Sequence, residues 1–203
     1  MTLYRLKPAF QDALRPVAAR FAAAGITANQ VTAGAAIGSV VVGAMLALAS
    51  PAQWPFLLLP VWLLARMALN ALDGMLAREF GQKSRLGAYL NELGDVVSDA
   101  ALYLPFALVA PFSPAAVVLV VLLSGLSEIA GVLGQALGAS RRHDGPLGKS
   151  DRALVFGALG LWIGIAGGLP GWAAHAMPVL AALLVVTAVR RVRAGVSEVE
   201  RQC

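Results

Sequence analysis

Long apolar stretches alternate with short polar breaks along almost the whole chain. A helix crossing the hydrocarbon core of a bilayer needs about 20 mostly apolar residues. Six stretches have that character, at 29–50, 54–77, 87–111, 114–138, 151–169 and 174–192. They are separated at Ser50-Pro51, at the polar run 78–86, at Pro111-Phe112-Ser113-Pro114, at 139–150 and at Leu169-Pro170-Gly171. Thr27 or Asn29 can cap the first stretch, because either side-chain oxygen can accept from the free backbone amides of a first helical turn. The segment from Met1 to Ala24 is different: Arg5, Lys7, Asp12, Arg15 and Arg20 interrupt its apolar residues. It lacks the continuous apolar core of a signal peptide and predicts an amphipathic helix lying on the membrane surface. The expected fold is an all-α integral membrane protein, with an interfacial helix over 1–24 and a domain of six transmembrane helices over 25–203.

Composition agrees with this pattern. Of the 203 residues 59% are hydrophobic and only 13% charged, against about a quarter charged in soluble domains. The net charge of +5 could suggest a nucleic-acid partner, but its distribution argues otherwise. The sixteen Lys and Arg residues form four groups, at 5, 7, 15 and 20, at 66, 78, 83 and 85, at 141, 142, 149 and 152, and at 190, 191, 193 and 201. The connections near 51–53, 112–113 and 170–173 hold none. With six spans every group falls on one side, which by the positive-inside rule puts both termini in the cytoplasm. The expected setting is the inner (cytoplasmic) membrane with no nucleic-acid role. Cys203 has no second cysteine to pair with, and His143 and His175 share no motif, which argues against a zinc site. Glycines recur at helix spacing at Gly34/Gly38, Gly134/Gly138 and Gly160/Gly164/Gly168, as expected where membrane helices pack closely.

Charged groups inside membrane segments are costly and usually mark function. Here they concentrate on the second and third stretches. Helical geometry, at about 3.6 residues per turn, puts Asn70, Asp73 and Ala77 on one face of the second. Asn91, Asp95 and Ser98 share a face of the third, with Glu92 and Asp99 beside it. The short connection makes the two helices antiparallel, so these faces can turn towards each other. Clustered carboxylates repel unless a cation neutralises them, and oxygen-only donors suit a hard cation such as Mg²⁺ or Mn²⁺. Gly74, Ala77, Gly87 and Gly94 leave room beside the cluster for a bulky polar ligand.

This segment resembles the CDP-alcohol phosphotransferase signature, D-x2-D-G-x2-A-R-x8-G-x3-D-x3-D. It appears as Asn70, Asp73-Gly74, Ala77-Arg78, Gly87, Asn91 and Asp95, with every spacing kept and asparagine at the first and third aspartate positions. The resemblance implies transfer of a substituted phosphate from a CDP-linked donor to an alcohol, with release of CMP. It implies one or two Mg²⁺ or Mn²⁺ ions held by Asp73 and Asp95 with Asn70 and Asn91. Glu92 and Asp99 are near enough to replace some of the missing charge. Asp95 becomes either the general base for the acceptor hydroxyl or a ligand only. Gly74, Ala77, Arg78 and Gly87 would form the nucleotide site. The implied donor is CDP-diacylglycerol, whose acyl chains can stay in the bilayer, and the implied assembly is a homodimer.

Arg141, Arg142, Lys149 and Arg152 can be read either as a topological basic loop or as a site for an acceptor phosphate or lipid headgroup. On the second reading glycerol 3-phosphate is the first acceptor to test. Arg66 can balance the acidic cluster or snorkel to the interface. Glu128, near the middle of the fourth stretch, reads as structural. Two other functions compete: a catalytically weakened relative that binds CDP-lipid and serves a partner, kept open by the two asparagines, and an ion-coupled transporter, which would favour inverted repeats that this chain lacks.

Overall fold

In the computed structural model of the chain, Thr27 rather than Asn29 starts the first long helix. Its hydroxyl accepts from the Gln30 amide at 3.2 Å while the Gln30 side chain accepts from the Thr27 amide at 2.8 Å. That reciprocal box satisfies two donors that a helix end otherwise leaves open. Residues 3–202 are described, with side chains from Phe10 onward. Cys203 and the side chains of Arg5 and Lys7 lie outside the described residues.

Seven helices follow in order: α1 (Leu3–Ala23), α2 (Ala28–Leu48), α3 (Leu58–Glu79), α4 (Arg85–Tyr103), α5 (Pro114–Ala136), α6 (Lys149–Ala166) and α7 (Ala176–Glu200). Single 3₁₀ turns at Trp54–Leu57, Leu104–Leu108 and Gly171–His175 connect or extend them. All six predicted stretches are helical, and α7 runs several residues beyond its predicted end. Among the described residues four helical segments are long and apolar enough to cross a membrane: Ala28–Leu48, Trp54–Glu79, Pro114–Ala136 and Gly171–Glu200. The charges on α4 and α6 keep those two outside that class, and the same charges build the site described below.

The main core joins Leu59 of α3, Phe106 of the turn after α4, Val117 of α5, Phe156 of α6 and Leu184 of α7. Tyr103 stacks on Phe156 with ring centroids 3.8 Å apart, and Phe106 meets Phe156 edge-on. A smaller cluster ties α1 to the bundle: Ala18 packs with Val31 of α2 and with Leu72, Met75 and Leu76 of α3. The outward faces are apolar as well, with Leu64, Leu122 and Ile165 more than half exposed. In water such a surface would be an aggregation liability, whereas hydrocarbon solvates it.

The recurring glycines divide into two kinds. Gly38 lies under the Trp62 indole, and Gly160 and Gly164 lie under Leu59 and Leu57, so these are packing positions. Gly138, with φ +93°, instead follows the end of α5 in the left-handed region, where glycine carries no Cβ penalty. Gly43 makes the tightest crossing, because a Cβ there would run into the backbone carbonyl of Ala101 on α4. Gly43→Ala is therefore expected to cost about 1–3 kcal/mol, the range for overpacked sites. Gly34→Ala, where nothing lies within 4 Å of the new methyl group, is the neutral control. Equal melting temperatures for the two variants in detergent would contradict this packing.

Candidate functional site

The site forms where α3, α4 and α6 bring their charged residues together beside α2. The main neighbours of α3 are α2, α6 and α1, while α4 lies against α2 and α5. Thus α2 packs against both motif helices, and side chains span the remaining gap. Two of the site's helices start for a local reason. The Ser84 hydroxyl caps α4 by accepting from the Gly87 amide at 2.9 Å, and Asp151 secures the start of α6 by accepting from the Gly148 amide at 2.9 Å. That second cap places Lys149 and Arg152 in the first turn of α6, facing α4.

Asp95 stands at the more open end. Its Oδ1 meets the Lys149 ammonium at 2.5 Å and the Arg66 guanidinium at 3.1 Å. Both cations approach the same oxygen, which leaves Oδ2 outside these pairs. Asp73 is buried on α3, and its Oδ2 accepts from the Thr32 hydroxyl at 2.8 Å. Asp73 also lies within electrostatic reach of Asp95 and Lys149. Asn70 and Asn91 are partly buried on the same two helices.

Further inward the network closes. Asp99 pairs with Arg66 through one oxygen at 2.6 Å and with Arg152 through the other at 2.8 Å. Arg152 also reaches Glu128 at 2.9 Å, and Arg191 meets the second Glu128 oxygen at 3.3 Å. Arg191 further donates to the Ser127 carbonyl at 2.5 Å. A chain of buried charge pairs therefore links all the helices from α3 to α7. Buried charges survive only when paired and hydrogen-bonded in this way.

Several expectations change at this point. Arg66 does not snorkel; it balances Asp95 and Asp99. Glu92 pairs with Arg141 through both guanidinium nitrogens, and both oxygens of Asp99 meet guanidinium groups. Both side chains are therefore already paired with guanidinium groups. Among the four basic residues considered for an acceptor phosphate, Lys149 and Arg152 join the cluster, but Arg152 is fully buried against Asp99 and Glu128. Arg141 pairs with Glu92, and Arg142 with Asp144 at 2.9 Å and Glu198 at 2.5 Å. The hydrogen bond from Arg142 holds the Asp144 carboxyl below its ordinary range.

Among the residues expected to form a nucleotide site, the Arg78 guanidinium folds over Gly74, within 2.9 Å of where a Cβ would sit. Gly87 gives room to the Asn29 side chain, and Ala77 packs against the small cluster that holds α1. Thr32 and Arg191 belong to the site although the sequence did not point to them. For Arg191 the available signal was its place one turn after Thr187 on the buried face of α7.

Among the described residues no group of three or more His, Cys, Asp or Glu side chains forms a metal cage. Asp73 and Asp95, with Asn70 and Asn91 on the same two helices, are oxygen donors of the type that suits a hard cation.

The model of the family described as CDP-alcohol phosphatidyltransferase matches residues 25–192. The inner membrane protein YnbA of Escherichia coli K12 is 46% identical over 193 residues, covering 95% of this chain and 96% of that protein. The phosphatidylinositol phosphate synthase of Mycolicibacterium smegmatis is 30% identical over 194 residues, covering 93% of this chain and 86% of that protein. Among solved structures, the Mycobacterium tuberculosis phosphatidylinositol phosphate synthase with CDP-DAG bound has a TM-score of 0.69 at 21% identity, covering 89% of this chain and 92% of that one. The same enzyme in complex with manganese and citrate also has a TM-score of 0.69, at 23% identity, covering 89% and 87%. At these identities the two structures establish the likeness of fold.

Proposed function

The chain belongs to the CDP-alcohol phosphatidyltransferase family, membrane enzymes that transfer substituted phosphate groups, and on that premise we propose that it moves a phosphatidyl group from CDP-diacylglycerol to an alcohol and releases CMP. The observation that supports this reading is that Asp95, at the family's motif spacing from Asp73, is held by Lys149 and Arg66 with Asp73 within its electrostatic reach. One divalent cation, Mg²⁺ or Mn²⁺, would be held by Asp73 and Asp95 with the amide oxygens of Asn70 and Asn91. Bound there, it would supply charge neutralisation for the diphosphate and for the departing CMP.

Phosphoryl transfer asks a protein mainly for positioning and electrostatics. In this proposal Arg78, Gly74, Ala77 and Gly87 form the nucleotide side, with Arg78 meeting phosphate or ribose. Lys149 neutralises charge at the open end, while Arg66 orients Asp95. Asp95 accepts the proton of the attacking hydroxyl, whose oxygen bonds to the phosphatidyl phosphorus as the bond to the CMP oxygen breaks. Glu92, Asp99 and Glu128 keep the surrounding cations paired and take no part as ligands.

The same proposal has all six helices from α2 to α7 crossing the bilayer. Internal pairing of the charges on α4 and α6 removes the main obstacle to their insertion. Both termini and the site then face the cytoplasm of the inner membrane, α1 lies along the surface as a separate interfacial unit over 1–24, and two copies form a homodimer. A reporter fused after Arg201 that reads the opposite side would contradict this topology, and a monomeric mass in mild detergent would remove the dimer.

Purified protein supplied with CDP-diacylglycerol, Mg²⁺ or Mn²⁺ and a panel of alcohols is expected to release CMP only when both acceptor and cation are present. CDP-diacylglycerol binding without release under any condition would favour the second reading, a weakened relative that binds the lipid. Asn70 and Asn91 are the observation behind that alternative.

A further inference from the structure

The inner end of the polar cluster carries its own anion. Glu128 of α5 sits between Arg152 of α6 and Arg191 of α7, with one carboxylate oxygen on each, at 2.9 and 3.3 Å. The two arginine side chains are 1% and 2% exposed and the glutamate 11%. Guanidinium groups converging from different helices on one anion are the arrangement that recognises phosphate. Here the chain itself fills that place.

Several other cations near the cluster also pair with carboxylates. Arg66 and Lys149 meet Asp95, Arg66 and Arg152 meet Asp99, Arg141 meets Glu92, and Arg142 meets Asp144 and Glu198. Within the cluster Arg66, Lys149, Arg152 and Arg191 face Asp73, Asp95, Asp99 and Glu128, so its formal charges balance. A divalent cation at Asp73 and Asp95 is matched in turn by the donor diphosphate. An acceptor that brought its phosphate to Arg152 or Arg191 would have to break a buried pair and strand a carboxylate without its partner, which is strongly unfavourable. An uncharged hydroxyl compound asks only for hydrogen bonds. Asn70 and Asn91, each with an amide that both donates and accepts, provide them beside the two aspartates.

We infer that the acceptor is an alcohol that carries no phosphate group, with Glu128 as the residue that excludes phosphorylated acceptors. The inference rests on the transferase reading above and replaces glycerol 3-phosphate as the acceptor to expect.

Matched acceptor pairs test it: glycerol against glycerol 3-phosphate, and inositol against inositol phosphate, each with CDP-diacylglycerol and Mn²⁺. The unphosphorylated member of a pair is expected to show a kcat/KM at least about tenfold higher. Preference for the phosphorylated members would overturn the inference and leave the transferase reading standing. No CMP release from any acceptor would overturn both.

Titration calorimetry with inorganic phosphate gives a readout independent of turnover. Wild-type protein is expected to show no saturable binding, and Glu128→Gln, which frees Arg152 and Arg191, to gain it. Saturable phosphate binding by the wild-type protein, or no gain of binding by a Glu128→Gln protein that melts like wild type, would overturn the inference.

Discussion

Asp73→Asn is expected to leave a folded protein whose CMP release falls by at least about a thousandfold, equivalent to roughly 4 kcal/mol of transition-state stabilisation. The substitution keeps the shape of the side chain, and an amide oxygen can still accept from Thr32, the bond that the carboxylate makes at 2.8 Å. What it removes is charge. Asn70 and Asn91 already stand where the family motif has aspartates, so Asp73 and Asp95 are the two carboxylates left to hold a divalent cation. Losing one leaves a single negative charge among neutral donors, and hard cations bind such a set weakly. Asp95→Asn is expected to be as inactive but harder to interpret, because it also strips a partner from Lys149 and Arg66. Steady-state CMP release alongside a thermal melt checks the prediction: an unchanged melting temperature with activity above about a tenth of wild type would remove Asp73 from the chemistry.

Asp99→Ala is expected to do the opposite, acting on stability before chemistry. Asp99 is the one carboxylate shared by Arg66 and Arg152, at 2.6 and 2.8 Å, and all three side chains are buried. Removing one partner of a buried ion pair costs about 3–5 kcal/mol, because the remaining charge has no compensation. Here two guanidinium groups lose that partner at once. A large fall in the melting temperature in detergent, with residual activity in whatever fraction stays folded, is the predicted result. A melt like that of wild type, with activity abolished, would instead make Asp99 part of the reaction and return it to the ligand set from which its pairing removes it.

These two aspartates lie on neighbouring helices and look alike in sequence, which shows where sequence reading stops. The helices themselves were legible, since long apolar stretches between Pro, Gly and Ser breaks leave few alternatives. The positions of Asp73 and Asp95 were legible too, because fixed spacing on a helix fixes a face. Charge pairing was not. Whether Asp99 meets a metal or a guanidinium depends on Arg152, which is 53 residues away in the chain and arrives through the packing of α6. Arg191 looked like one more cytoplasmic cation in the run that closes the last span, and only the crossing of α5 with α7 brings it to Glu128. Thr32 was unremarkable on an apolar helix until α2 packed against α3. The basic residues at 141–152 were visible as charges, but a sequence does not display that each already pairs with a carboxylate.

The same pairing explains why α4 and α6 look too polar to cross a bilayer when each is weighed alone. Their charges pair with each other and with α3 and α5, and α5 in turn with α7, so on the proposed six-span topology the bundle, and not the single helix, would be the unit that meets lipid. The apolar outer faces of these helices, with Leu86, Leu93, Leu154 and Ile165 exposed, fit a surface solvated by hydrocarbon.

The most direct test of a cation-dependent phosphatidyl transfer at Asp73 and Asp95 is mass spectrometry of the lipid made from CDP-diacylglycerol and an isotope-labelled alcohol. The account predicts a labelled phospholipid formed in step with CMP, dependent on Mg²⁺ or Mn²⁺ and absent with Asp73→Asn. Labelled product that persists in that variant, or CMP and phosphatidate appearing with no labelled lipid, would contradict it.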